Sequence, residues 1–342
     1  MDELITLLIP TYNRHQYLKR ILEYYQDCSF HVIVADSSKN GYNSTTPQPR
    51  SFQYLHFPDI SLTQKLETAL NEVKTKYVVM CADDDFIIAD RIFDCINFLE
   101  NNKEYSAVQG NAISYKKEDL NGSKIGFSSL YENPVQEIVN DNLLERLKEL
   151  FEAYRTTFSA VHYTDNLKFA FKSAGKVIQN LYLNEYLTAI IPVISGKYKE
   201  LPFLYQVRES AEDSDGKTTD NLDKILHDEK YKNEFKNFIA FTANKMAALI
   251  KDDETKMQEE LKNILQRFSQ SPLLQRRTRI SFKKRIGLLV QHIPIVGEQL
   301  IRKNRELEKA LDMKKTLRSE HDKRCLSDIQ TIIKKYSTET SI

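Results

Sequence analysis

Short apolar runs alternate with amphipathic segments along the first hundred positions. Leu4 to Ile9 is continuously apolar, as a strand buried on both faces requires. Pro10 to Arg14 breaks that run, and His15 to Tyr25 then carries Tyr17, Leu18, Ile21, Leu22 and Tyr25 at helical spacing. His31 to Ala35 predicts a second strand ending on Asp36, Ser37 to Arg50 a polar loop, and Phe52 to Phe57 a third strand. Leu62 to Val73 turns Leu62, Leu66, Ala69, Leu70 and Val73 to one side, the stripe of a helix. Tyr77 to Met80 reads as a fourth strand, and Asp90 to Glu100 as a helix with Ile92, Cys95, Ile96 and Leu99 inward. Alternation of this kind predicts an α/β layer architecture.

The pattern continues less regularly. Tyr105 to Tyr115 predicts a strand, Asn121 to Asn133 a loop, and Ile138 to Tyr154 a helix. Phe158 to His162 reads as a short strand near the strand ends, and Thr164 to Ala174 as a helix stopping at Gly175. Leu181 to Ile191 is an apolar helix with one conspicuous acid, Glu185; Pro192 to Gly196 leads out of it into the basic and apolar Lys197 to Val207. Glu209 to Asp215 is an acidic surface loop. After Thr219 the chain turns rich in Lys, Glu, Leu, Ala and Phe, and Asn221 to Phe268 contains no Pro or Gly, so helices are expected. The division that follows is 1–218 as the α/β domain and 219–342 as a helical extension.

Composition narrows the class. The chain has 342 residues, 41% of them apolar, enough for a sizeable core, and its net charge is only +1. Charge is uneven: between Ser271 and Arg324 fifteen Lys and Arg outnumber six Asp and Glu. The segment 276–300 sets basic residues beside Leu, Val and Ile, which suits an anionic membrane surface. The rival reading is a homo-oligomer contact through the C-terminal helices, with Leu300, Leu307, Leu311 and Leu317 facing a partner. No aromatic-interleaved or recognition-helix pattern supports nucleic acid. Cys28, Cys81, Cys95 and Cys325 match no zinc or redox spacing and predict reduced thiols in a cytoplasmic protein. No apolar window is long enough to span a membrane, and the first residues carry no signal-peptide pattern.

The chemistry lies at the predicted strand ends, where ligands bind in α/β sheets. Pro10 to Arg14 follows the first strand, Asp36 ends the second, and Asp83, Asp84 and Asp85 follow the fourth. Three adjacent carboxylates repel one another and are costly to desolvate, and a divalent cation would offset both costs. Asp83 and Asp85 point the same way on an extended chain, and paired oxygen ligands suit Mg²⁺ or Mn²⁺. A turn leading into an acidic helix N-terminus explains the same residues without any ligand. There is no GxGxxG and no phosphate loop with Gly-Lys-Ser/Thr, so dinucleotide and P-loop readings lose their support.

LLIPTYNRHQYLKRIL, then VIVADSS, then YVVMCADDD, in this order and spacing, resembles a family 2-type glycosyltransferase of GT-A fold. With the later ISGKYKELPFLYQVRES the resemblance covers about residues 4 to 210 and is narrower, to a bacterial subgroup tied to surface polysaccharide synthesis. It implies a Rossmann-like mixed sheet flanked by helices. It also implies a nucleotide-sugar donor, a UDP-sugar first, and a glycan or lipid-linked acceptor. By the resemblance Pro10, Thr11, Tyr12, Asn13 and Arg14 hold the nucleotide, Asp36 contacts the base, and Lys65 meets the diphosphate. The Asp-x-Asp metal motif falls on Asp83 and Asp85, with Asp84 in the donor site; a register with its first position at Ala82 moves the roles to Asp84 and Asp85. Inversion needs a general base, and Glu185 matches the family's acid on a later helix, although Tyr186 stands where an Asp usually follows. Its apolar neighbours suit a proton-accepting carboxylate. Arg208 is placed to hold the leaving diphosphate or an anionic acceptor, and His162 is an alternative base. A sugar-nucleotide nucleotidyltransferase shares the need for carboxylates and metal, but its Gly-rich, basic N-terminal loop is missing. A scaffold with a degenerate transferase domain is the non-enzyme alternative.

Overall fold

The computed structural model describes residues 2–43, 47–117, 124–130, 136–172, 177–210, 222–271, 317 and 319–339. β1 (Ile5–Thr11) lies between β2 (His31–Asp36) and β4 (Tyr77–Met80), all parallel, with β3 (Phe52–His56) outside β2. The full order is β3-β2-β1-β4-β9-β6-β10-β5, with β5 (Phe86–Ile87), β6 (Tyr105–Lys117), β9 (Val161–Tyr163) and β10 (Lys197–Glu209). β9 runs antiparallel to both β4 and β6, so the sheet is mixed. β7 (Ile125–Ser129) and β8 (Glu137–Ile138) pair with β6 and β10.

Two apolar cores sandwich the sheet. On one face α1 (His15–Tyr24) and α3 (Ala89–Asn101) bury Leu18, Ile21, Leu22, Ile92 and Leu99 against Ile5, Leu7, Val32 and Val79. On the other pack α2 (Leu62–Glu72), α4 (Leu143–Glu152), α5 (Thr164–Phe171) and α6 (Leu181–Ser195). The helices after residue 219 take part in both faces. α7 (Leu222–His227), α8 (Lys232–Ile250) and α9 (Glu254–Ser269) join the core of α4–α6 through Leu222, Phe238, Met246, Leu261 and Phe268. α10 (Glu320–Glu339) crosses to the other side, where Leu326, Ile329 and Ile333 cover Phe86, Ile113, Tyr115, Leu204 and Val207. Arg91 to Asp322 and Lys335 to Glu23, at 2.8 and 2.6 Å, tie α10 to α3 and α1.

Three segments differ from the hydrophobic pattern. β1 continues through Pro10 and Thr11, because the ladder with β4 ends at Leu8 and Met80, so no partner awaits the missing N–H of Pro10. The predicted loop Asn121 to Asn133 contains β7, which the long β6 recruits in a register joined by Ser114 and Ser128. α6 runs past Pro192 to Ser195; Arg146 satisfies its last turn, donating to the carbonyls of Val193 and Ile194. The helix predicted from Ile138 begins at Leu143, where Asn142 caps it by accepting from the N–H groups of Leu144 and Glu145. The acidic loop beyond Ser210 and the basic segment 276–300 lie outside the described residues, as do Leu300, Leu307 and Leu311.

Candidate active site at the strand ends

The carboxyl ends of β1, β2 and β4 bring the predicted residues into two adjoining corners. In the first, Asp36 closes β2 and is fully buried. Its Oδ1 accepts from the Ser38 N–H at 2.8 Å, and its Oδ2 bonds His15 Nε2 at 2.8 Å and accepts from Tyr54 Oη at 2.7 Å. Burial pushes this carboxyl up, but the donors Ser38, Tyr54 and His15 outweigh it and hold the group below the usual carboxylate range. Lys65, buried on α2, donates to the Thr11 carbonyl and, at 2.9 Å, to Ser37 Oγ, locking β1 to β2. Asn13 takes a left-handed conformation, φ 53°, which Asn tolerates, and its N–H donates to Ser38 Oγ. That turn leaves Tyr12 54% exposed beside the corner.

The second corner is the acidic turn after β4, where all three aspartates are buried. Asp83 accepts from Thr11 Oγ1 at 2.6 Å and pairs with Arg14 at 3.1 Å; Asp84 takes the other arm of Arg14 at 2.7 Å. Asp85 turns toward β10: it accepts from Gln206 Nε2 at 3.0 Å and from the Glu209 N–H at 3.1 Å, with Arg208 Nε at 3.4 Å. The structure therefore joins Asp83 with Asp84 around one guanidinium and directs Asp85 separately. Burial raises Asp83 to about 6 against the pull of Arg14, and burial likewise raises Asp85 against that of Arg208.

Several partners here escaped the sequence reading. Arg20, buried on α1, donates to the Asp84 carbonyl at 2.8 Å, to Tyr115 Oη at 3.0 Å and to Glu209 at 2.7 Å. Gln206 Nε2 also reaches Ser159 Oγ at 3.0 Å. The available signal was a polar residue inside an apolar strand, as at Gln206, since such a group needs a buried partner. Arg20 beside Lys19 gave none.

Glu185 lies on α6, and its Oε1 accepts from Tyr154 Oη at 2.9 Å. His162 is buried on β9 and bonds the Thr157 carbonyl at 2.7 Å; burial lowers its pKa to about 4, so the ring is neutral.

A hard divalent cation fits the acidic turn by donor chemistry: the available donors are buried carboxylate oxygens. Among the described residues no three His, Cys, Asp or Glu side chains form a preassembled cluster. A cation here would take one or two of these aspartates and complete its shell from donor phosphates and water.

Residues 6–164 match the pattern of glycosyl transferase family 2. That match spans just under half of the chain. The mixed α/β sheet with its flanking helices is the GT-A architecture expected of such a glycosyltransferase. No curated protein sequence matches it. Solved structures similar to it include S. aureus TarS 1-349, at 13% identity over 98% of this chain and 91% of that one, with a TM-score of 0.47. S. aureus TarS 1-349 in complex with UDP-GlcNAc is similar at 14% identity over 78% and 72%, also at 0.47. Against the longer S. aureus TarS chain the similarity is 14% identity at a TM-score of 0.45, over 78% of this chain and only 43% of that one.

Proposed function

We propose that this glycosyltransferase moves a sugar from a UDP-sugar to a hydroxyl of a glycan or lipid-linked acceptor, with inversion and with help from Mn²⁺ or Mg²⁺. The observation that carries the reading is the meeting of the Asp36 corner with an acidic turn surrounded by Arg14, Arg20 and Arg208. The ionised Asp36 can only accept, which suits the imide N–H of uracil. Arg14 and Arg208 stand where a departing diphosphate would need positive charge. A bound cation supplies Lewis acidity for the same leaving group. Glu185 takes the acceptor proton while the acceptor oxygen bonds to the anomeric carbon and the bond to the diphosphate breaks. A role in surface polysaccharide synthesis follows from the narrower sequence resemblance. The composition of 276–300 supports an inner-leaflet position, where a lipid-linked acceptor resides.

Calorimetric titration of nucleoside diphosphates, with and without Mn²⁺, tests the reading on the wild type and on Asp85→Ala. Metal-dependent binding of UDP, lost in the variant, is expected. Well-folded protein that binds no nucleotide would favour the scaffold alternative.

A further inference from the structure

Pro192 sits inside α6 and has no N–H for the carbonyl four residues back, that of Thr188. Thr157, buried in the connection from α4 to β9, donates its hydroxyl to that carbonyl at 3.0 Å. The Thr157 carbonyl is itself held, by His162 Nε2 at 2.7 Å and the Ala160 N–H at 2.9 Å. The same short connection is fastened at both ends. Three residues earlier Tyr154 donates to Glu185, which lies one turn before Thr188 on α6. Two residues later Ser159 accepts from Gln206 Nε2, the nitrogen that also donates to Asp85, while the Ser159 carbonyl accepts from Tyr205 Oη at 2.7 Å.

We infer that residues 154–159 act as a spacer between Glu185 and the acidic turn, and that Thr157 is the positioning residue that fixes it through the carbonyl opened by Pro192. The inference rests on the transferase reading, with Glu185 as base. The proline keeps a helix carbonyl vacant for a side chain outside the helix, so the helix and the connection hold one relative placement. A helix without the proline would bring its own N–H to that carbonyl, and the Thr157 hydroxyl would then compete for an acceptor already in use. Base and leaving-group site belong to different elements, and a small error in their separation is costly in rate.

The test uses the full chain with Mn²⁺ and either UDP-N-acetylglucosamine or UDP-glucose, following UDP release to water. Thr157→Val keeps the shape and removes the hydroxyl; kcat is expected to fall about ten-fold or more, with the calorimetric Kd for UDP within about two-fold. Thr157→Ser restores the hydroxyl and should recover most of kcat. A valine variant at parity, a loss carried by Kd, or an equal loss in the serine variant would overturn the inference while leaving the transferase reading intact. Wild-type protein that neither binds UDP nor releases it overturns both. Thermal unfolding of Thr157→Val, Pro192→Ala and the double variant reads the contact without turnover. The double variant should fall short of the sum of the single shifts, because Pro192→Ala gives Thr188 back its helix partner; additive shifts overturn the inference.

Discussion

Asp36 and Asp83 are both buried carboxylates at the ends of strands that flank β1, yet the protein treats them oppositely. Asp36 receives a backbone N–H, a phenol and an imidazole, and its charge is held at a pKa below normal. Asp83 shares one guanidinium with Asp84, and burial leaves its pKa raised. The first corner is complete without a ligand, as a reader of a neutral base can be. The second sets three buried carboxylates among three arginines, and desolvation holds Asp83 and Asp85 above the ordinary carboxylate range.

The largest test of this difference acts from below the acidic turn. Ile329 is fully buried against the apolar underside that includes Phe86, the residue after Asp85. Ile329→Ala should cost about 3 kcal/mol in chemical denaturation, and it should weaken metal-dependent UDP binding more than metal-free binding. Equal weakening of both would erase the distinction between the corners. A direct exchange comes next. Asp36→Asn removes a charged acceptor of three hydrogen bonds and should destabilise by about 2 kcal/mol, whereas Asp83→Asn removes a charge that burial already disfavours and leaves Asp84 on Arg14, so it should cost less than about 1 kcal/mol. If the two variants unfold at the same denaturant concentration, the contrast is wrong.

The smallest effect is a pH dependence set by His162 on β9. An unfolded histidine protonates near pH 6.5, while His162 does so only near 4. The unfolded chain therefore binds more protons between these values. The stabilising contribution is complete above pH 6.5 and fades as pH falls toward 4, with about 1 kcal/mol gone by pH 6. The His162 ring resonances should stay unshifted from pH 8 to 5 in an NMR titration; a midpoint near 6.5 would contradict the buried neutral ring.

The strands around the site were legible because β1, β2 and β4 are buried on both faces and so almost purely apolar. The positions of Asp36 and Asp83 to Asp85 followed from where those runs stop. Side-chain partners did not follow. Arg20 meets Glu209 across 189 positions, and no local period encodes such a pair. Prolines misled twice. At Pro10 the neighbouring ladder had already ended, and at Pro192 outside side chains serve the helix carbonyls. A missing N–H ends an element only where a neighbour needs it, and the sequence does not name that neighbour. The strand β7 was hidden by Gly and Ser, which pair acceptably at a sheet edge when a long partner is present.

The covering of β5, β6 and β10 by α10 has a consequence for synthesis. Arg91 and Asp322 stand 231 positions apart, so the acidic turn leaves the ribosome long before the helix that covers its underside. Until then Phe86, Ile113, Leu204 and Val207 face water or a chaperone. A nascent chain halted before residue 320 would expose an aggregation-prone apolar surface, and docking of that helix is a late step in assembling the acidic turn.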